Sequence, residues 1–487
     1  MAIQKGIITM NEWMNIHPYK KAGYIEIQYL NLAKKIFNNL LNDEVLKDMD
    51  RMILKQLSLA LTAYLEDIVS DYGLWSAFRK LHKKMYGKWL PFYNVKKEDY
   101  LFDEINMEDV KLLCWMILQG YASEEKVIHP EGLMVEHLSL SVYPVLYEAF
   151  EFVPINKQLH EFFQNKENYK NFFLFRSLNS TLFMSSYLSM GIGSRCIEEV
   201  ILKKSEAGVQ ENLIYSIIEN VPFQLKKHPL PAFSHQYLAE MITGLKKECG
   251  WVRHISYAPA SIFEYNGRDE RNYFLTDLET GISYEVDMDS CAIDPDMKVG
   301  ERIMTQLVCY RHKWMINGVY STGNLEEAAD DALAKKETME FVRGHYDDFM
   351  KTNGNCPIAF TSSYKEAKEI LRKYNQVAFI PDFPADFRSE KNYVLYAERD
   401  KGMVVALNIA EYIKHPDNPF YNKEAAENEA LAILAVSRLC PKEMRTYLIE
   451  NKLIPDAMLN LARGVKIAKD LVQKNMSFLS NFILGES

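Results

Sequence analysis

Apolar residues recur along this chain with two different periods. Up to about residue 255 they fall three and four apart, the spacing of one helix face. From 256 to 322 they alternate, as in strands with one buried side, and beyond 323 the helical period returns with short strands set into it. The pattern predicts an α+β fold: a helical region over 1–255, an antiparallel β-meander over 256–322, and a helix-rich α/β region over 323–487.

In the first region Ile25, Tyr29, Leu32, Ile36 and Leu40 define a helix over 24–41. Residues 46–71 predict a second, apolar nearly all round between Leu57 and Leu65, as a helix at a bundle centre is. A third follows Gly73, turns Leu74, Phe78, Leu81 and Met85 inward, and stops by Pro91. Val110, Leu113, Ile117 and Tyr121 share one face of a fourth over 107–121. The helical period continues from Pro130 to Val221, enriched in Phe162, Phe163, Phe172, Phe173, Phe175 and Phe183, a stripe suited to a core. Pro222, Pro229 and Pro231 then make 222–235 a loop.

In the meander, Asn266-Gly267 is read as a type I′ hairpin turn, because both residues tolerate positive φ. Strands are expected at 273–276, 282–286, 303–310 and 314–320, the last two joined by a tight Arg311-His312-Lys313 corner. Such strands either close into a small SH3-like barrel or curve against a helix. Further on, the pattern gives a helix over Leu325–Met350 with Leu333, Val342, Tyr346 and Phe349 inward, and a helix from a Ser363 cap to Tyr374. It then gives strands at Val377–Ile380, Tyr393–Ala397 and Met403–Ala406, and helices from Asn422 to Phe482.

Composition narrows the function. Hydrophobic residues at 48% and charged residues at 25% are those of a soluble globular protein. A net charge of −9 repels phosphate backbones, so nucleic-acid binding is not expected. The seven cysteines are scattered and contain no CxxC pair, which favours reduced thiols in a cytoplasmic protein over a zinc site or a disulfide framework. Residues Met1–Glu12 lack the apolar core of a signal peptide, and no apolar run approaches the ~18 residues of a membrane span. No cofactor, metal or membrane partner is expected.

Candidate chemistry is sparse. Asp67 and Asp71 lie four apart beside Glu66, one way to present oxygen ligands to a cation. Residues 75–97 carry seven Lys/Arg and no acid, however, so pairing with these basic neighbours is the stronger reading. Arg79, Lys80, Lys83, Lys84 and Lys88, interleaved with Trp75, Tyr86 and Trp89, have the composition of a single-strand nucleic-acid surface, yet their helix also carries a core stripe. The histidines show no HExxH, Gly191-Ile192-Gly193 lacks the strand and third glycine of a phosphate loop, and neither GxSxG nor a Walker lysine occurs. The remaining candidate is Arg311, His312, Lys313 and Trp314, where basic and aromatic groups crowd a strand end. There, strict alternation would put His312 and Trp314 on one face and Arg311 and Lys313 on the other, with Trp314 as a core anchor.

Several runs carry a resemblance. These are Trp13 with His17-Pro18-Tyr19, Leu65-Glu66-Asp67 leading to Gly73-Leu74-Trp75, Gly87–Tyr93 (GKWLPFY), and Asp103–Asn106 followed by Glu108–Val110. Late in the chain come Lys414–Tyr421 (KHPDNPFY) and Leu453–Ala457 (LIPDA). Together they resemble the domain-of-unknown-function 3843 family, most densely over 11–118 and 412–457. That resemblance implies no activity.

The reading that follows is a non-enzymatic binding or scaffold protein, engaging an unidentified protein or small molecule through the meander and its neighbouring helices. A hydrolase assembled from scattered groups such as Glu66, Asp67 and His82 is the alternative, and a weak single-strand nucleic-acid binder a third. Thiol titration of the denatured protein without reductant is expected to find all seven cysteines reactive; fewer would contradict the reduced-thiol reading.

Overall fold

The computed structural model describes residues 7–96, 98–122, 127–189, 221–242, 246–323, 325–374, 392–455 and 474–484. Its first region contains helices α1 (Met10–Met14), α2 (Tyr24–Leu41), α3 (Arg51–Ser70), α4 (Leu74–Tyr86), α5 (Met107–Tyr121), α6 (Leu133–Phe150), α7 (Lys157–Gln164) and α8 (Phe172–Met184). The apolar middle of α3 is buried on nearly every side, with α2, α4, α5, α6 and α7 packed around it. The helix begins at Arg51, later than its apolar pattern predicts, because the Asp50 carboxylate accepts the Met52 amide and caps it there. α4 is buried over most of its circumference, Trp75, Arg79 and His82 included, while Met85 of its expected stripe is exposed near the helix end.

Two networks pair buried polar groups inside this bundle. At the end of α3, Glu66 meets His17 Nε2 at 2.8 Å and accepts the Asn156 amide at 2.7 Å. The other His17 nitrogen faces the Trp13 carbonyl at 2.9 Å. Both ring nitrogens thus face acceptors, which favours the doubly protonated imidazolium. Burial acts to lower the His17 pKa, and the Glu66 carboxylate overcomes this and raises it above the ordinary value. Asp67 accepts the amides of Gly73, Leu74 and Trp75 and the Tyr187 hydroxyl, which satisfies the open start of α4. In the second network Arg79 donates to the Tyr100 hydroxyl and the Phe102 carbonyl, and Tyr100 and Tyr64 donate to Asp109. Burial pushes both Asp67 and Asp109 up to about 6 against the pull of these donors.

The alternating segment closes into a barrel of β1 (Ser256–Arg268), β2 (Asn272–Asp277), β3 (Ser283–Asp287), β4 (Arg302–Tyr310) and β5 (Lys313–Ile316), in the order β1-β2-β3-β5-β4. Four pairings are antiparallel; closure comes from a parallel contact of β3 with β5 at Val286 and Trp314. Phe263, Tyr265, Leu275, Val286, Leu307 and Ile316 belong to its core. Asn266-Gly267 is a bulge inside β1 instead of a turn: Tyr265 pairs with Leu275 and Arg268 with Tyr273. The chain reverses at 269–271, where the Asp269 carboxylate accepts the amides of Arg271 and Asn272. The bulge holds Gly267 at a φ of 112°, and a type I′ turn also needs positive φ, so the dipeptide suits either.

The outer face of β4 and β5 docks the barrel onto the helices. Val308, Tyr310 and Met315 join the helical core, Tyr310 packs against Phe172, Phe175 and Trp251, and its hydroxyl donates to the Tyr169 carbonyl at 2.7 Å.

A long helix, Glu326–Thr352, leads away from the barrel. Ala329 and Ala332 near its start pack on Ile262 and Leu278 of the barrel region, whereas Phe349 near its end joins a second sheet. Leu333, expected inward, is exposed. That sheet comprises β6 (Ile358–Thr361), β7 (Tyr393–Glu398) and β8 (Gly402–Ala406), antiparallel in the order β6-β7-β8. Along β7, Tyr393, Leu395 and Ala397 pack with Phe349 and the helix Tyr364–Tyr374, while Val394 and Tyr396 join the main core. β6 is too short, at four residues, to register as an alternating segment. The expected strand Val377–Ile380, the Gly191–Gly193 run and Cys196 lie outside the described residues, as does 456–473 of the final helical stretch.

Two outcomes test this packing. Trp314 is half-buried, edge-on to Tyr284 at a ring separation of 4.8 Å and packed against the barrel core. Trp314→Ala is expected to cost about 3 kcal/mol in urea unfolding, the lower end for a large aromatic truncation; a cost near zero would remove it from the core. The raised His17 pKa makes the His17–Glu66 contribution complete below about pH 6.5 and lost as pH rises through the folded-state value. The stability gap between the wild type and His17→Gln should therefore narrow from pH 6 to pH 9, and a gap independent of pH would mean the imidazole is buried neutral.

Candidate functional site

β4 and β5 are joined by a two-residue turn, with Tyr310 paired to Lys313 across its base. Arg311 and His312 occupy it at φ of 49° and 67°, the left-handed region that a tight hairpin needs and that β-carbons disfavour. The corner is therefore two residues, and His312 belongs to the turn. Alternation begins only at Lys313, so His312 does not share a strand face with Trp314. From there Trp314 and Ile316 pack with the barrel core, and Lys313 and Met315 face out.

Arg311 and Lys313 line one cleft of about 440 Å³, with Tyr310, Asp287 and Asp289 on the barrel side. Opposite lie Lys170, Phe172 and Phe173 at the start of α8, where Asn171 accepts the amides of Phe173 and Leu174 and fixes the helix entry. Lys313 Nζ lies 2.6 Å from Asp287. Burial acts to raise Asp287, and Lys313 together with the Asp289 amide holds it below the usual carboxylate range. Lys170 pairs with Glu167 at 2.7 Å. Phe173 is 45% exposed, an apolar surface beside three cations. A ligand carboxylate entering here would meet Arg311 and would compete with Asp287 and Glu167 for the two lysines, and its apolar part would meet Phe173. Among the described residues lining the cleft, no nucleophile stands beside a base.

The structure separates the members of the acidic cluster. Glu66 and Asp67 are 1% and 2% exposed and enter different hydrogen-bond sets, while Asp71 ends α3 at the surface in a left-handed conformation. The expected pairing with the basic stretch also fails for Glu66 and Asp67, whose partners are His17, Asn156, Tyr187 and backbone amides. A carboxylate at a buried helix end lies nearer the amides opening the next helix than any surface lysine. The lysines pair elsewhere: Lys84 with Glu240, and Lys83 over the Trp89 ring at 4.0 Å. His82 is buried, bonded to the Lys88 carbonyl, and pushed down to about 4 by burial.

Two arrangements escaped the sequence because their members are distant in the chain. Cys356 Sγ lies 3.5 Å from His415 Nε2 and 3.7 Å from the Tyr447 hydroxyl. However, the Asp417 amide donates to His415 Nδ1, so the neutral ring carries its proton on Nε2 and cannot accept the thiol's. Lys227, buried, places Nζ 3.3 Å from Ser189 Oγ, and burial pushes it down to about 7. Neither spacing matches a sequence motif.

No curated protein and no solved structure matches the chain. The family described as Protein of unknown function (DUF3843) matches residues 8–258 and 301–485. The unmatched stretch holds β2, β3 and most of β1, whereas the β4–β5 tip and the α8 wall of the cleft fall within the match. Matched over most of its length, the chain belongs to this DUF3843 family.

Proposed function

We propose that this is a non-enzymatic binding or scaffold protein of the cytoplasm, whose cleft at the barrel tip engages an acidic, aromatic-containing segment of a partner protein. The observation that carries this reading is the convergence of Arg311 and Lys313 from the hairpin with Lys170, Phe172 and Phe173 from the helical side. Cations on a rim steer an acidic partner, and a partly exposed aromatic gives it an anchor. The hydrolase and single-strand readings draw on Glu66, Asp67, His82 and Arg79, which are buried and bonded to groups within the fold.

The test is an array of acidic dodecapeptides, each with one Phe, Tyr or Leu, probed with the wild type and with an Arg311→Glu, Lys313→Gln double variant. Glutamine is used at 313 because a carboxylate there would oppose Asp287. Bound peptides should be lost by the variant while its melting temperature stays within about 2 °C, since exposed ion pairs add little stability. Binding kept by the variant, or no peptide bound by the wild type, would overturn the reading.

A further inference from the structure

The outer face of α6 is apolar where a surface helix is ordinarily polar. Val135, Leu138, Val142 and Leu146 form its buried side, packed toward α2, α3 and α5. On the opposite side stand Leu133, Leu140 and Tyr147, seven residues apart and 79%, 55% and 57% exposed. Phe152, just past the helix, is 79% exposed. Leu133, Leu140 and Tyr147 form one apolar row along the helix, one of the two positions per seven residues that make up the seam with a second helix.

Pro144 lies on the same outer face. It has no N–H, so the Leu140 carbonyl lacks its helical donor and presents an acceptor within the seam. Beyond the contact of Tyr147 with Tyr143 at 6.0 Å, these large apolar groups are left mostly to solvent, where a surface helix ordinarily carries polar residues.

The charges around the seam decide what covers it. Glu131, Glu136, Glu148 and Glu151 are exposed at or beside α6. Among the described residues, Lys35 of α2 pairs with Glu148 at 3.1 Å, and His137 pairs with Asp43. A second copy of this chain would set one acidic rim against another, and an anionic membrane or a nucleic acid would be repelled. A helix with leucines on one side and lysines or arginines at its flanks matches both the seam and its rim.

We propose that the outer face of α6 is a docking site for a basic amphipathic helix of a partner protein. The helix lies along Leu133, Leu140 and Tyr147, its cations reach Glu136 and Glu151, and a lysine or arginine takes up the Leu140 carbonyl. This surface shares no residue with the barrel-tip cleft and stands or falls independently of it.

The probe is a fluorescent fourteen-residue Leu/Lys helix with leucines at three- and four-residue spacing, titrated into the full-length protein and compared with its Leu/Glu counterpart. The wild type should bind Leu/Lys one to one and ignore Leu/Glu. A Leu133→Ser, Leu140→Ser, Tyr147→Ser variant keeps every charge and should bind at least about tenfold more weakly. Glu136→Lys with Glu151→Lys should weaken binding and flatten its salt dependence. Circular dichroism should not change and melting temperature should shift by no more than a few degrees, because these side chains are largely exposed and only Tyr147 has a ring neighbour, Tyr143 at 6.0 Å, among the described residues. Binding indifferent to the serine variant, or equal binding of Leu/Glu, overturns the proposal. So does a wild-type dimer in sedimentation that the serine variant dissolves, or binding of anionic phosphatidylserine vesicles in preference to the peptide, since each assigns the face to another occupant.

Discussion

The helical region depends on how two adjacent carboxylates at the end of its central helix are satisfied. α3 is buried nearly all round, so Glu66 and Asp67 are carried into the interior by the apolar residues preceding them. An uncompensated buried carboxylate costs several kcal/mol or more, which makes its donors obligatory. Glu66 draws in His17 after α1 and Asn156 before α7. Asp67 gathers the first amides of α4 and the Tyr187 hydroxyl. Four parts of the chain far apart in sequence are thereby held to one helix end.

Around that centre the other units attach through identifiable contacts. Tyr310 seats the barrel: its ring fills a pocket of Phe172, Phe175 and Trp251, and its hydroxyl ends on the Tyr169 carbonyl. The same seating brings the β4–β5 turn beside the start of α8, so the cleft is a by-product of the docking. The second sheet is held more broadly, since β7 contributes alternate residues to two cores.

Much of this was legible in the sequence, for a physical reason. Period depends on local geometry, so α2, α5, the barrel strands and the helix Tyr364–Tyr374 could be read from spacing alone. Where one signal serves two geometries the reading fails, as at Asn266-Gly267, whose tolerance of positive φ fits a bulge as well as a turn. Alternation misplaced His312 for a related reason: it holds only while the backbone is extended, and the chain is left-handed there. Partners of buried charge were not legible at all. Nothing near Glu66 in sequence points to His17 or Asn156, and Cys356 and His415 meet only through the fold. Of the candidate site, the cations of the hairpin tip could be read in advance, but the opposing wall of Lys170, Phe172 and Phe173 could not.

The helix Glu326–Thr352 touches the barrel near one end and the second sheet near the other, with no buried residue from Leu333 to Phe341. A rod of 27 residues spans roughly 40 Å. Its middle buries little, with only Lys336, Met339 and Phe341 half-buried, and an isolated helix of a few turns is marginal in water. That span therefore stays folded only while both ends are anchored. Loosening of either end would propagate along the rod as fraying, which makes barrel and sheet a single cooperative unit in hydrogen exchange, although no strand of one touches the other.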